Sequence, residues 1–194
     1  MTSPRILVFS ASTRRESLNS KLISVAAERL RFHGADVSLL DFARFPMPIY
    51  DGDVESSEGV PQEAAALHEA LRSHHGVFIA SPEYNSGPPP VLVNAFTWVS
   101  RYAAEGGIAA AFRRPVFALG AASPGAFGGY RGLSQLRQWL ELGFGACVLP
   151  SMVSVPAAHE AFDGNGTLLN PRSASALDQV ILDLLQSVRH RSES

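Results

Sequence analysis

The chain has 194 residues and lacks several things, each of which removes a class of function. Its one cysteine is Cys147, so no internal disulfide can form and a cysteine metal cluster is excluded. The apolar residues around Cys147 predict a buried, inert thiol. An excess of basic charge is missing too. Sixteen Lys and Arg stand against eighteen Asp and Glu, a formal net charge of −2, and the basic residues are scattered, so nucleic acid is not an expected partner. No apolar run is long enough to span a bilayer. The start MTSPRILVFS lacks the charged onset, long apolar segment and small-residue cleavage site of a secretory signal, so a cytoplasmic location is expected. The histidines (His33, His68, His74, His75, His159 and His190) show no pairing at metal-ligand spacing with a carboxylate, and no metal is expected.

What is present is a regular alternation. With 46% hydrophobic and 18% charged residues, the chain can bury a full core as one domain over residues 1–194. The runs RILVFS (Arg5 to Ser10), DVSLLD (Asp36 to Asp41), GVFIA (Gly76 to Ala80) and PVFALGAA (Pro115 to Ala122) read as strands. A fifth, Ala146 to Val155, is interrupted by Pro150. Helical periodicity covers about Leu18 to Phe32, Pro61 to Ser73, Val91 to Arg101, the leucines Leu133 to Leu142, and about Ser173 to Val188. Phe42 to Val60 is expected as a long connection rich in proline, glycine and acids. Nearly continuous apolar strands alternating with helices predict an α/β three-layer sandwich around a five-stranded parallel sheet. The short second strand points to the flavodoxin-like order 2-1-3-4-5. Ligands of such sheets sit beyond the carboxyl ends of the strands, where the loops after strands one, three and four converge.

The first of these loops, with Ser10, Ser12, Thr13, Arg14, Ser17 and Asn19, carries more polar side chains than a helix cap needs. A helix N-terminus with hydroxyls and a guanidinium from Arg14 or Arg15 suits a phosphate. Neither G-x-G-x-x-G nor G-x-x-x-x-G-K-[ST] occurs here, so a monophosphate fits better than a dinucleotide or nucleoside triphosphate. The third loop, SPEYNSGPPP (Ser81 to Pro90), is stiffened by Pro82 and by Pro88 to Pro90. Ser123 follows a strand, but G-A-A-S-P-G has one residue too many for a nucleophile elbow and no acid-then-histidine order follows.

Three landmarks then fall in order: S-x-R-x-x-S-x-N (Ser12, Arg14, Ser17, Asn19), P-E-Y-N (Pro82, Glu83, Tyr84, Asn85) and S-x-G-x-x-G-G-x-R (Ser123, Gly125, Gly128, Gly129, Arg131). With FPMPIYDGD (Phe45 to Asp53) and FDGNGTL (Phe162 to Leu168), the chain resembles the NADPH-dependent FMN reductases along nearly its whole length. The resemblance implies FMN as cofactor and NADPH or NADH as co-substrate. Hydride would pass to the flavin and then to a quinone, free flavin or similar small-molecule acceptor in a ping-pong cycle, with no catalytic side chain. Ser12, Arg14, Ser17, Leu18 and Asn19 would hold the flavin phosphate, and Pro82, Glu83, Tyr84 and Asn85 would flank the ring. Ser123, Gly125 and Gly128 would form the opposing loop, where missing side chains let the ring approach the backbone. A homodimer or dimer of dimers is implied as well.

Departures from the family pattern lie at Gly87, Pro90, Val93 and Thr97, and Ala11 stands where the family has glycine. Loss of a Lys–Asp pair at positions 93 and 97 predicts a drier subunit contact on Val93, Phe96 and Thr97. Trp98 and Trp139 read as packing, and Arg101 with Glu105 as a solvated pair. Two rivals share the flavin: an FMN-binding electron carrier and a relative with little turnover.

Overall fold

In a computed structural model describing residues 3–164 and 166–193, the five strands are β1 (Arg5–Ser10), β2 (Asp36–Leu40), β3 (Gly76–Ala80), β4 (Val116–Ala122) and β5 (Cys147–Val155). They form one parallel sheet in the order β2-β1-β3-β4-β5. The helices are α1 (Leu18–Phe32), α2 (Gly52–Glu58), α3 (Gln62–Arg72), α4 (Pro90–Arg101), α5 (Tyr130–Phe144) and α6 (Pro171–Glu193). Because successive strand residues point to opposite faces, the two sides of the sheet bury different sets. Leu7, Phe9, Val77, Ile79 and Phe117 pack under α3, α4 and α5, while Ile6, Val8, Phe78, Val116 and Ala118 pack under α1 and α6. This is the expected three-layer sandwich with the expected strand order. Among the described residues, no helix is long and apolar enough to cross a membrane.

The fifth strand is continuous. Pairing slips between Phe117↔Val148 and Leu119↔Met152, so Pro150 sits in a bulge on an edge strand, where its missing N–H interrupts no interior ladder. Cys147 opens this strand and is partly exposed; the expected buried thiol is corrected, because an edge strand is covered less completely than a central one.

Helix α2 lies inside the expected connection. Asp51 caps it, accepting from Asp53 N at 2.8 Å, and Gly59 ends it with φ 79°. It buries none of its residues, so it has no apolar stripe to read. Its neighbour segment is tied to α4 instead. Asn94 accepts from Tyr50 N and donates to Pro48 O, both at 2.8 Å, and Trp98 Nε1 donates to the same carbonyl at 2.8 Å. Glu55 accepts from the Tyr50 hydroxyl at 2.8 Å and from Arg101 Nε at 3.0 Å. These two contacts hold the Glu55 carboxyl below its ordinary range, while the bond to Glu55 raises the Tyr50 phenol. Arg101 is therefore not paired with Glu105, which instead faces Arg72 at 3.4 Å. Helix α6 begins earlier than its apolar pattern, because Asn170 Oδ1 accepts from the N–H groups of Arg172 and Ser173.

Phe96 is fully buried within the chain, 5.1 Å from the Phe112 ring and 6.2 Å from Trp139. It belongs to the core, which overturns its assignment to a subunit contact. Thr97 turns its hydroxyl back to Val93 O at 2.8 Å, a partner that makes the missing aspartate at this position locally harmless. Replacing Asn94 with Ala removes the acceptor of the Tyr50 N–H and one of the two donors to the Pro48 carbonyl, leaving Trp98 Nε1. It is expected to cost about 2 kcal/mol, read as a lower midpoint in urea unfolding with unchanged slope; an unchanged midpoint would show the segment is held by other means.

Candidate functional site

The carboxyl ends of β1, β3 and β4 carry the three loops singled out in the sequence, and the loops close on one cleft of about 160 Å³. Ser12, Arg14, Ser17, Leu18 and Asn19 line it from the first loop, Pro82, Glu83 and Tyr84 from the third, and Ser123 from the fourth. Asn85, Gly125 and Gly128 are not part of its lining, whereas Glu16, Ala122 and Pro124 are. These three sit inside or beside the motifs, and their types alone carry no signal for a ligand.

At one end of the cleft the donors are unspent. Ser17 occupies the N-cap of α1 in extended conformation, but its side chain makes no capping bond, so the first turn keeps free N–H groups. The Ser12 hydroxyl accepts from Arg14 N at 3.3 Å, which leaves its O–H available to donate. The exposed Arg14 guanidinium has no ion-pair partner among the described residues. A helix N-terminus, hydroxyls and a free guanidinium fit a phosphomonoester. Ser10 does not join them: it is not among the residues lining the cleft, and its buried hydroxyl has no partner among the described residues.

Asn19 works differently from the anion-holding role the motif implied. Its side chain is buried, donating to Ala122 O at 3.1 Å and accepting from Ala122 N at 2.9 Å. Both polar atoms of the carboxamide are engaged, so Asn19 ties the start of α1 to the end of β4.

The third loop owes its shape to a turn and a clamp. Tyr84 and Gly87 exchange two backbone hydrogen bonds, at 3.0 and 2.9 Å, around Asn85 (φ 51°) and Ser86 (φ 63°). Two central residues at positive φ make this a tight primed turn, and Asn85 serves it as a turn residue. The Glu83 side chain, only 8% exposed, leaves the cleft for the start of α5. There it accepts from Arg131 Nε at 2.9 Å, Arg131 Nη2 at 2.5 Å and Gly132 N at 3.0 Å. Burial alone would push this carboxyl up; the Gly132 N–H and the Arg131 guanidinium outweigh it and hold it below the ordinary glutamate range. Any contact of Glu83 with a ligand is left to its backbone.

Of the fourth-loop glycines carried by the motif, Gly128 is required by packing and Gly125 is not. A Cβ on Gly128 (φ 58°) would stand 2.7 Å from Pro156 N and 2.8 Å from Val155 C. Gly128 is thus pressed against the end of β5, a correction to the reason inferred for its lack of a side chain. Gly125 meets only Ser123 Oγ, at 3.8 Å, and its N–H donates to that hydroxyl at 3.3 Å.

A doubly wound sheet in this order, with an anion seat after β1 and two stiff loops facing each other across the switch point, defines a flavodoxin-like mononucleotide-binding protein. The sequence model of the NADPH-dependent FMN reductases matches residues 4–160, and the chain belongs to that family. It is 30% identical to an NAD(P)H-dependent FMN reductase of Pseudomonas aeruginosa over 185 residues, 95% of each chain. It is 31% identical over 153 residues to an NADH:(hydroxy)cinnamate reductase subunit of Vibrio ruber, covering 78% of this chain and 71% of that one. The same fold occurs in a flavoenzyme NAD(P)H:(acceptor) oxidoreductase of Paracoccus denitrificans, with TM-score 0.75, 22% identity and coverage of 97% and 98%. The protein is an oxidoreductase, its cofactors are FMN and NAD(P)H, and the donors at the cleft suit the FMN phosphate.

Because the folded-state pKa of Glu83 is depressed, its contribution is fully present above the ordinary glutamate value and fades as pH falls through the lower folded one. Glu83→Gln should cost about 1–2 kcal/mol at neutral pH. It should also flatten the loss of stability below about pH 4.5, followed by urea midpoints across an acid series; parallel curves for the two proteins would deny the clamp its charge.

Proposed function

We propose that the protein passes hydride from NAD(P)H to bound FMN and then to a quinone, free flavin or similar acceptor, the two substrates using the same open face in turn. Bound FMN supplies the two-electron chemistry that no side chain of the cleft can. Ser12, Arg14, Ser17 and the first-turn N–H groups of α1 hold the phosphate. Pro82 to Tyr84 and Ser123 to Pro124 orient the ring from opposite sides, and the prolines and the Glu83 clamp keep the first of these walls from yielding. No acid or base is needed at the reacting atoms. A quinone acceptor takes the hydride and one proton from water and leaves as hydroquinone. The observation that carries this reading is the convergence of three strand-end loops on one cleft whose anion donors are unspent at a single end.

Bound flavin should bleach when NADPH or NADH is added without oxygen, and a quinone should restore its colour. A protein that retains no FMN sinks the reading, and one whose bound FMN resists both nucleotides is a carrier instead. Arg14→Ala should weaken FMN binding about tenfold, measured by quenching of flavin fluorescence, with far less effect on the KM of the quinone.

The reading includes a second copy of the chain. A groove of about 670 Å³ between α4 and α5 is lined by Pro88, Val93, Trp139 and Leu142, and Leu142 is 78% exposed. An apolar side chain so exposed beside a groove is what a subunit contact would cover. Sedimentation should show a dimer or tetramer that Leu142→Glu dissociates; the same mass for both proteins rules this groove out.

A further inference from the structure

Arg14 and Arg15 are adjacent in sequence but line different clefts. Arg14 belongs to the flavin cleft. Arg15 lines a second one of about 680 Å³, on the outer side of the first turn of α1, with Lys21, Ser20 and Ser24 of that helix and His159 from the loop after β5. The two clefts share Glu16, Ser17 and Leu18 as a common wall, so a ligand lying across that wall reaches both.

We infer that the outer cleft seats the adenosine 2′-phosphate of NADPH, with Arg15 and Lys21 as its specificity-determining cations; this rests on the flavin-reductase reading above. NADPH and NADH differ only in that phosphate, so a group that tells them apart must recognise a dianion away from the flavin. Among the described residues, neither Arg15 nor Lys21 has an ion-pair partner. Both are exposed, so solvent screens their repulsion, and both charged ends are free to meet an anion in the cleft they line. His159 adds a ring nitrogen, although it also faces Glu160 at 3.4 Å. Glu16 is the carboxylate among the lining residues and cancels one positive charge, so the surplus rests on the two long cations. The flavin's own phosphate is assigned to the other cleft, which holds Ser12 and Arg14 and shares Ser17 with this one.

The test uses FMN-loaded protein, so that the flavin phosphate seat is filled. Adenosine 2′,5′-bisphosphate and adenosine 5′-monophosphate are titrated by calorimetry, and KM is measured separately for NADPH and NADH. The expected result is at least tenfold tighter binding of the bisphosphate. Arg15→Ala and Lys21→Ala should each weaken it five- to tenfold, with the monophosphate changed less than twofold, while KM rises for NADPH much more than for NADH. Retained flavin absorbance verifies that the variants are folded and loaded. Equal affinity of the unaltered protein for the two nucleotides, or equal losses for both in the variants, overturns the assignment. That outcome is distinct from failure of the reductase reading, in which neither NADH nor NADPH bleaches the bound flavin.

Discussion

The bond between the Glu83 carboxylate and the start of α5 governs the site, because it fixes the loop that forms one wall of the cleft. A loop of prolines and turn residues after a strand is stiff within itself but free to swing as a unit. Glu83 removes that freedom by reaching from the β3 loop to Arg131 and the Gly132 N–H. A Cβ on Gly132 would lie 3.0 Å from Glu83 Cβ and 3.1 Å from Gly87 O, so a side chain at this point would crowd the tie. The Asn19–Ala122 bonds do the same on the other side, fastening α1 to the end of β4. Two polar ties therefore fix the three loops relative to one another, and the unspent donors of the first loop remain for binding.

The division between what could and could not be read in the sequence follows from what pattern reading detects. Strands buried on both faces and helices with one buried stripe leave periodic traces, and β1, α1 and β3 fall where those traces lie. Helix α2 buries nothing, and the π-helical turn Ala109–Arg113 is too short for a period; neither was legible. Motif reading found which loops meet but not what each side chain does there. Asn19 and Glu83 look like ligand groups by residue type, and only their partners, each distant in sequence, show them to be ties. Consecutive arginines look interchangeable on paper. In the fold they are divided by the wall that Glu16 to Leu18 form between two clefts.

The departures from the family pattern divide in the same way. Pro90 begins α4, where a missing N–H breaks no helical bond. Gly87 completes the turn with Tyr84 through its backbone, and the nearest atom to a Cβ there is the movable end of Gln135, 3.2 Å away, so packing does not demand a glycine. Ala11 is fully buried and its N–H donates to Ala80 O at 2.9 Å, which keeps β1 paired with β3 for one residue beyond the strand.

The aromatic residues are unevenly shared between the two sides of the sheet. Trp98 and Trp139, with Phe9, Phe96, Phe112, Phe117 and Phe144, lie in or against the layer under α3 to α5, while the layer under α1 and α6 is almost wholly aliphatic, with Phe78 its one buried ring. As these are the chain's two tryptophans, intrinsic fluorescence watches one half of the molecule. The half that carries α1 is optically quiet, and loosening there would pass unseen until the sheet itself gave way.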